Sequence, residues 1–161
     1  MEKYRNALRE EIKNRARIYY LIYRELSREV GKEKAVGILK RALYERGRGK
    51  GLQLVQKIGG ADLRKLAHAF VEGKQEVDVF GHEVVRADDE SAVLRLNACP
   101  LVEAWNDLGL SAEEKMLMCD IAYQVDFGKF ETAGYRLRFD RRIADGHPSC
   151  DLIVRARTRS H

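Results

Sequence analysis

The hydrophobic period changes near residue 75, and this change constrains the fold more than any other feature of the sequence. Before it, apolar residues recur every three or four positions, as on one face of a helix. After it, apolar and polar residues alternate with a period of about 2, which is typical of half-buried strands. The pattern predicts a single α+β domain over 1–161, with a helical part over 1–74 and an antiparallel sheet over 75–161.

The helical part begins with a long, broadly apolar helix. The spacing predicts helices over 5–30, 32–46, 51–58 and 62–72. The glycine-rich segment 47–51 predicts a turn between the second and third of these helices. The first helix carries more large apolar side chains than one small sheet requires, and we therefore expect a homodimer through it. The residues concerned are Tyr19, Tyr20, Ile22 and Tyr23.

The second part places helices between its strands. Pro100 cannot continue a strand but suits the first turn of a helix, which is predicted over 101–108. A capping box that begins at Ser111 starts another helix, predicted over 111–132 and ended by Gly134. The N-terminal helices are expected to pack with these two helices and with an antiparallel sheet of about five strands. The strands are predicted over 76–79, 83–86, 92–98, 135–140 and 150–155.

Charge and composition exclude several classes of partner. Residues 1–75 carry a net charge of +10 and residues 76–161 a net charge of −5, which together give the formal +5 of the chain. No helix-turn-helix, zinc-finger or aromatic RNA-binding motif accompanies the basic residues, so no nucleic-acid partner is expected. No apolar run approaches the roughly 20 residues that span a bilayer, so no membrane partner is expected. The 3 widely spaced cysteines predict free thiols in a reducing, cytoplasmic setting.

A thiol, a phenol and a carboxylate share one face of the helix predicted over 111–132. Seven residues, or about two helical turns, separate Cys119 from Asp126, and Tyr123 lies between them on the same stripe. A buried carboxylate requires a partner, and a Cys119 nucleophile with an Asp126 acid/base is suited to attack on an electrophilic carbon. The alternative is a core cysteine beside an exposed aspartate, and the spacing leaves both open.

The other two cysteines are further candidates. Cys150 shares the apolar face of the last strand and is expected to point inward, with Asp151 on the opposite face. Cys150 is therefore a second candidate nucleophile, and Cys99 lies where a strand meets a helix. The cysteine spacing matches no compact zinc motif, so no cofactor is expected. A metal bound by Cys99, Cys119 and Cys150 requires the fold to bring the three together.

Two polar residues near the last strand are candidates for substrate binding. His147 lies in a turn three residues before Cys150, where an imidazole lowers a thiol pKa, and the alternative is an exposed turn histidine. Arg142 is one of several arginines that crowd the preceding strand, and its guanidinium can bind a substrate carboxylate bidentately. The full set of predicted substrate-binding residues is Cys99, Tyr123, Arg142, His147 and Asp151.

Most of the chain, from about residue 10 to residue 156, carries an ordered set of short motifs. They are Ala42-Leu43-Tyr44, Gly47-Arg48-x-x-Gly51, Cys99-Pro100-Leu101, Trp105, Leu108-Gly109-Leu110, Cys119 with Asp126, Gly134-Tyr135 and Gly146-x-x-x-Cys150-Asp151. In this order the motifs resemble the L-2-amino-thiazoline-4-carboxylic acid hydrolase family. No single motif is decisive, but the ordered set is fairly specific.

The resemblance implies a small α+β domain and a small-molecule substrate. It implies hydrolytic opening of a cyclic amidine-like thiazoline ring, which gives a carbamoyl-cysteine on the route to L-cysteine. If so, Cys119→Ser or Asp126→Asn is expected to abolish turnover and to leave the fold intact. The run Phe139-Asp140-Arg141-Arg142 and His147 depart from the family pattern, at a place where substrate contacts are expected.

A second, more distant resemblance keeps a different class of function open. The same pattern is similar to vinyl-reductase-type small-molecule-binding domains, which need not be enzymes. It implies a domain that binds a small molecule or a metal between the long helix and the sheet without turnover.

Overall fold

The computed structural model describes residues 1–72 and 75–157. Its helices are α1 (Glu2–Val30), α2 (Lys32–Ile58), α3 (Leu63–Val71), α4 (Gln75–Phe80), α5 (Pro100–Asp107), α6 (Ala112–Ala122) and α7 (Gln124–Thr132). The strands are β1 (His82–Ala87), β2 (Ser91–Leu96), β3 (Tyr135–Arg141) and β4 (Cys150–Ala156), and a short 3-10 helix spans Ile143–Asp145.

The predicted α+β class is confirmed, with an antiparallel sheet packed against helices. The described residues form four strands in the order β1-β2-β4-β3, and every neighbouring pair is antiparallel. The predicted strand over 76–79 is wrong, because this segment belongs to α4. Its alternation supplied only two apolar positions, which are too few to distinguish a strand from a short helix, and Val79 is buried in this helix.

The predicted turn over 47–51 is also wrong, because α2 runs through it without interruption. Its glycines form the contact with α7 instead. A Cβ added at Gly51 would lie 2.5 Å from the carbonyl oxygen of Lys129. A Cβ at Gly47 would overlap the carbonyl oxygen of Val125, and one at Gly128 would overlap that of Tyr44. The two helices therefore touch backbone to backbone, and no larger residue fits at these positions.

The helix predicted over 111–132 is divided at Tyr123 into α6 and α7. Its start is confirmed, because the Ser111 hydroxyl accepts a hydrogen bond of 3.1 Å from the Glu114 backbone amide. At the division, the Asp126 amide donates to the Tyr123 carbonyl, three residues back instead of four. The local tightening separates the first turn of α7, which contains Asp126, from the face of α6 that contains Cys119.

Two apolar clusters meet between the helices and the sheet. One joins α3 and α7 to the inner face of the sheet, with Phe130, Tyr135 and Leu152 fully buried. The other joins α1, α2, α5 and α6 around Trp105, whose indole N–H donates to the Ala16 carbonyl oxygen at 3.1 Å. The second cluster contains Cys119, so the division at Tyr123 lies where the two clusters meet.

The outward face of α1 retains exposed apolar side chains. Ile18, Leu21 and Ile22 are 44–55% exposed. The expected homodimer through this helix stays a prediction. None of the described helices combines the length and the apolar character required to cross a bilayer.

Replacing Gly47 by alanine is expected to destabilise the protein by about 2 kcal/mol or more, because the new methyl group overlaps the α7 backbone. The matched control is Gly49→Ala, where nothing lies within 4 Å of the added Cβ. Alanine at this exposed helical site should stabilise by about 0.5–1 kcal/mol. Urea unfolding measures both changes, and equal effects of the two substitutions would contradict the backbone contact.

Candidate functional site

A cavity of about 140 Å³ lies between the N-terminal helices, α7 and the inner face of the sheet. Its walls are mainly aromatic and aliphatic, and its charged side chains come from α1, α2 and α7. The apolar lining consists of Tyr19, Phe70, Phe80, Leu96, Leu101, Ala122, Val125, Phe130 and Leu152. The polar lining consists of Arg15, Arg46, Lys50, His82, Asp126 and Lys129. An engineered apolar cavity of about 150 Å³ holds benzene, so this volume suits a single ring.

The fold brings the three cysteines together beside this cavity. Cys150 pairs with Leu96 across β4 and β2, and both Leu96 and Leu152 line the cavity. Cys99 precedes α5 and Cys119 lies in α6. Cys150 raises the pKa of Cys99, and both Cys99 and Cys150 raise the pKa of Cys119, so the three thiols lie close together. The sequence could not show this cluster, because 20 and 31 residues separate consecutive cysteines.

Burial keeps all three thiols protonated at neutral pH. It raises the pKa of Cys99 to about 12 and also raises the pKa of Cys119 and of Cys150. Two polar neighbours of Cys150 oppose this effect: the Ile143 backbone amide donates to its sulfur at 3.2 Å, and the Tyr123 hydroxyl lies 3.7 Å away. These interactions lower the pKa of Cys150 but do not outweigh desolvation.

The Tyr123 side chain lies between the thiol cluster and a separate surface depression. Its ring stacks on Phe139 with 3.8 Å between centroids, and the Arg142 guanidinium lies 5.4 Å from the ring centre. Burial and the neighbouring thiols raise the pKa of Tyr123, so its hydroxyl stays protonated. The depression on its outer side is open and is lined by Tyr123, Phe139 and Arg142, with Asp120 among its other residues.

Asp126 is the one residue among the eight predicted site residues that lines the cavity. It is half-buried, and its carboxylate lies close enough to raise the pKa of Cys150. The predicted stripe placed Asp126 with Cys119, but the division at Tyr123 brings its charge to Cys150 on the sheet instead.

The remaining predicted residues are held elsewhere. Arg142 binds both Asp120 and Asp145. Asp151 is buried on the outer face of the sheet, where Arg95 donates two hydrogen bonds to it at 2.7 and 3.0 Å. This ion pair lowers the pKa of Asp151. His147 is exposed in the turn before β4.

The described residues contain no group of three histidine, cysteine, aspartate or glutamate side chains arranged to hold a metal ion. Although the three thiols are near one another, they do not form such a group. Each is a free cysteine.

Sequence reasoning missed most of the polar residues of the cavity. His82, the first residue of β1, was not among the predicted site residues; its Nδ1 lies 2.8 Å from the Phe70 carbonyl oxygen and its ring stacks on Phe70. Because a carbonyl oxygen only accepts, Nδ1 carries the proton. The four-residue spacing between Arg46 and Lys50 was a usable signal, since it puts two cations on one helical face. It was obscured by the expected turn at 47–51.

The free energy of unfolding is expected to fall as the pH rises above about 8.5, because the unfolded chain releases thiol protons that the folded protein retains. Cys99, with a pKa raised from 9.0 to about 12, contributes a slope of up to about 1.4 kcal/mol per pH unit between these values. Cys99→Ala should therefore flatten the pH dependence measured by urea unfolding at pH 7 to 10.5. Parallel curves for the two proteins would contradict this burial effect.

Comparisons with known proteins agree with the fold and identify the family. The chain is similar to a trafficking protein particle complex subunit 3 from Naegleria fowleri covalently bound to palmitic acid, with 13% identity, a TM-score of 0.59 and coverage of 92% of this chain and 96% of that one. It is also similar to the phenol-responsive sensory domain of the transcription activator PoxR with phenol, with 13% identity, a TM-score of 0.52 and coverage of 88% and 73%. These likenesses concern the fold alone.

The search of curated proteins finds no match. The family model described as L-2-amino-thiazoline-4-carboxylic acid hydrolase matches residues 11–154, which is nearly the whole chain. The ordered motifs and this match agree over the same region, and the chain belongs to the L-2-amino-thiazoline-4-carboxylic acid hydrolase family.

Proposed function

We propose that the protein hydrolyses a small cyclic amidine carboxylate such as L-2-amino-thiazoline-4-carboxylate to a carbamoyl-cysteine. The observation that carries this proposal is a one-ring cavity in which Asp126 faces aromatic walls and a set of cations. The aromatic and aliphatic walls suit the ring, and the cations suit the carboxylate. The family supplies the reaction class.

The proposed reaction uses water as the nucleophile and Asp126 as its base. The Asp126 carboxylate takes a proton as water attacks the ring carbon that is bonded to nitrogen and sulfur. The ring nitrogen receives one proton of the water. The carbon–sulfur bond then breaks, the new hydroxyl becomes a carbonyl, and its proton passes to the released sulfur. Both protons of the water are accounted for, and no oxidant or reductant is required.

The electrostatics of the thiols support water over a thiolate as the attacking group. A cysteine attacks as its thiolate, and burial raises the pKa of each of the three thiols above the ordinary value. The expected nucleophilic role of Cys119 or Cys150 thus requires substrate binding to reverse the effect of burial. Protonated thiols instead act as small apolar side chains that pack beside Leu96 and Leu152 next to the cavity.

A second candidate function is ligand binding without turnover. The same protonated thiols favour it, as does the likeness of the fold to a phenol-responsive sensory domain. Phenol is also a single ring, so a cavity of about 140 Å³ suits ligands of that size. The likeness to a subunit bound to palmitic acid suggests no equivalent ligand here, because a long acyl chain exceeds this volume.

Turnover of L-2-amino-thiazoline-4-carboxylate, measured as release of the carbamoyl-cysteine product, tests the proposal. Asp126→Asn should lower kcat by about 100-fold or more, because it removes the base and retains the shape of the side chain. The matched control is Asp140→Asn, at an exposed position of β3, which should retain normal turnover. Cys119→Ala and Cys150→Ala should retain most of the turnover if water attacks.

The other outcomes separate the candidates. Loss of turnover in a folded Cys119→Ala or Cys150→Ala variant would show that this thiol, and not water, is the nucleophile. Full turnover in Asp126→Asn would contradict the role of the carboxylate. Absence of turnover in the unmodified protein, together with saturable binding of the same compound, would establish the binding module instead.

A further inference from the structure

The cavity carries more positive than negative charge. Among the described residues, Arg15, Arg46, Lys50 and Lys129 line it, and Asp126 is the one acidic residue in its lining. Asp126 and Lys129 each have an interaction partner. Arg15, Arg46 and Lys50 form no ion pair with an acidic residue of the described part of the chain, 1–72 and 75–157.

Arg15 is distinguished from the other two cations by an orphaned polar atom. Its Nε is buried and has no hydrogen-bonding partner within residues 1–72 and 75–157. Three other partly buried arginines are paired: Arg9 with Glu103, Arg95 with Asp151, and Arg142 with Asp120 and Asp145. Even Lys13, two residues before Arg15 on α1, binds Asp107 at 2.7 Å.

An unpaired guanidinium donor is costly to bury. Removing such a group from water without a partner is penalised, and the penalty is larger for charged than for neutral groups. The natural complement of an arginine fork is a carboxylate, which accepts two parallel hydrogen bonds from Nε and one terminal nitrogen. A ligand carboxylate beside Arg15 would therefore satisfy the orphaned Nε and balance the cations around it.

We propose that Arg15 is the specificity-determining residue of the cavity and binds the carboxylate of a one-ring ligand, with Arg46 and Lys50 adding attraction at long range. The ring then lies against the aromatic and aliphatic walls. The inference deepens the proposed function, on which it rests for the identity of the ring. It adds that the ligand carboxylate is bound at α1, by Arg15.

The test uses 2-aminothiazole-4-carboxylate, whose aromatic ring resists opening, and its carboxamide, which has the same shape and no charge. Calorimetry gives the Kd of each. The unmodified protein should bind the acid about tenfold or more tightly than the amide. Arg15→Gln should bring the two Kd values close together, and Arg15→Lys should retain part of the preference. The matched control, Arg5→Gln, removes an exposed charge from the same helix and should leave the preference unchanged.

A stability measurement separates this role from a structural one. Because Arg15 lacks a protein partner at Nε, Arg15→Gln should leave the urea midpoint of the ligand-free protein unchanged or raise it. Equal binding of acid and amide by the unmodified protein, or an acid preference that survives in both Arg15 variants, would overturn the proposal.

The two proposals fail differently. Arg15-dependent preference for the acid without any ring opening of L-2-amino-thiazoline-4-carboxylate would leave the carboxylate site standing and remove the hydrolase proposal. Ring opening with a KM that Arg15→Gln does not change would do the reverse.

Discussion

The backbone contact between α2 and α7 positions almost every charged group of the candidate site. Gly47 and Gly51 on one helix and Gly128 on the other leave no room for a Cβ, so the axes cannot move apart or slide without losing the contact. Helix α2 carries Arg46 and Lys50 beside these glycines, and α7 carries Asp126 and Lys129. The glycines carry no reactive group themselves, but their close contact fixes the position of α2 relative to α7 and so the shape of the cavity wall.

Desolvation dominates the electrostatics of the thiol cluster. A backbone amide, a tyrosine hydroxyl and Arg142 all lower the pKa of Cys150, yet burial raises it further than they lower it. Three neutral thiols then behave as small apolar groups, which leaves Asp126 as the residue of the predicted catalytic set with a carboxylate that can accept a proton from water. This balance is the reason to prefer water activation over covalent catalysis.

Tyr123 separates two environments that the sequence had combined. On one side lies the thiol cluster, with the Asp126 cavity beside it, and on the other an open depression in which Arg142 is held by Asp120 and Asp145. The paired Arg142 has its positive charge already balanced, whereas Arg15 does not. The proposed carboxylate recognition by Arg15 therefore lies on α1, outside the residues that the sequence motifs singled out.

The sequence by itself determined the α+β class, the helix starting at Ser111 and the membership of the family, because periodicity, capping and ordered motifs are local properties of the chain. It suggested Asp126 but not its neighbours. Only the tertiary structure decided that the glycines at 47–51 make a helix contact rather than a turn, and that α4 replaces a strand. It also placed Arg15 and Asp126 in the lining of one cavity. These outcomes depend on contacts between residues distant in sequence, which local pattern cannot report.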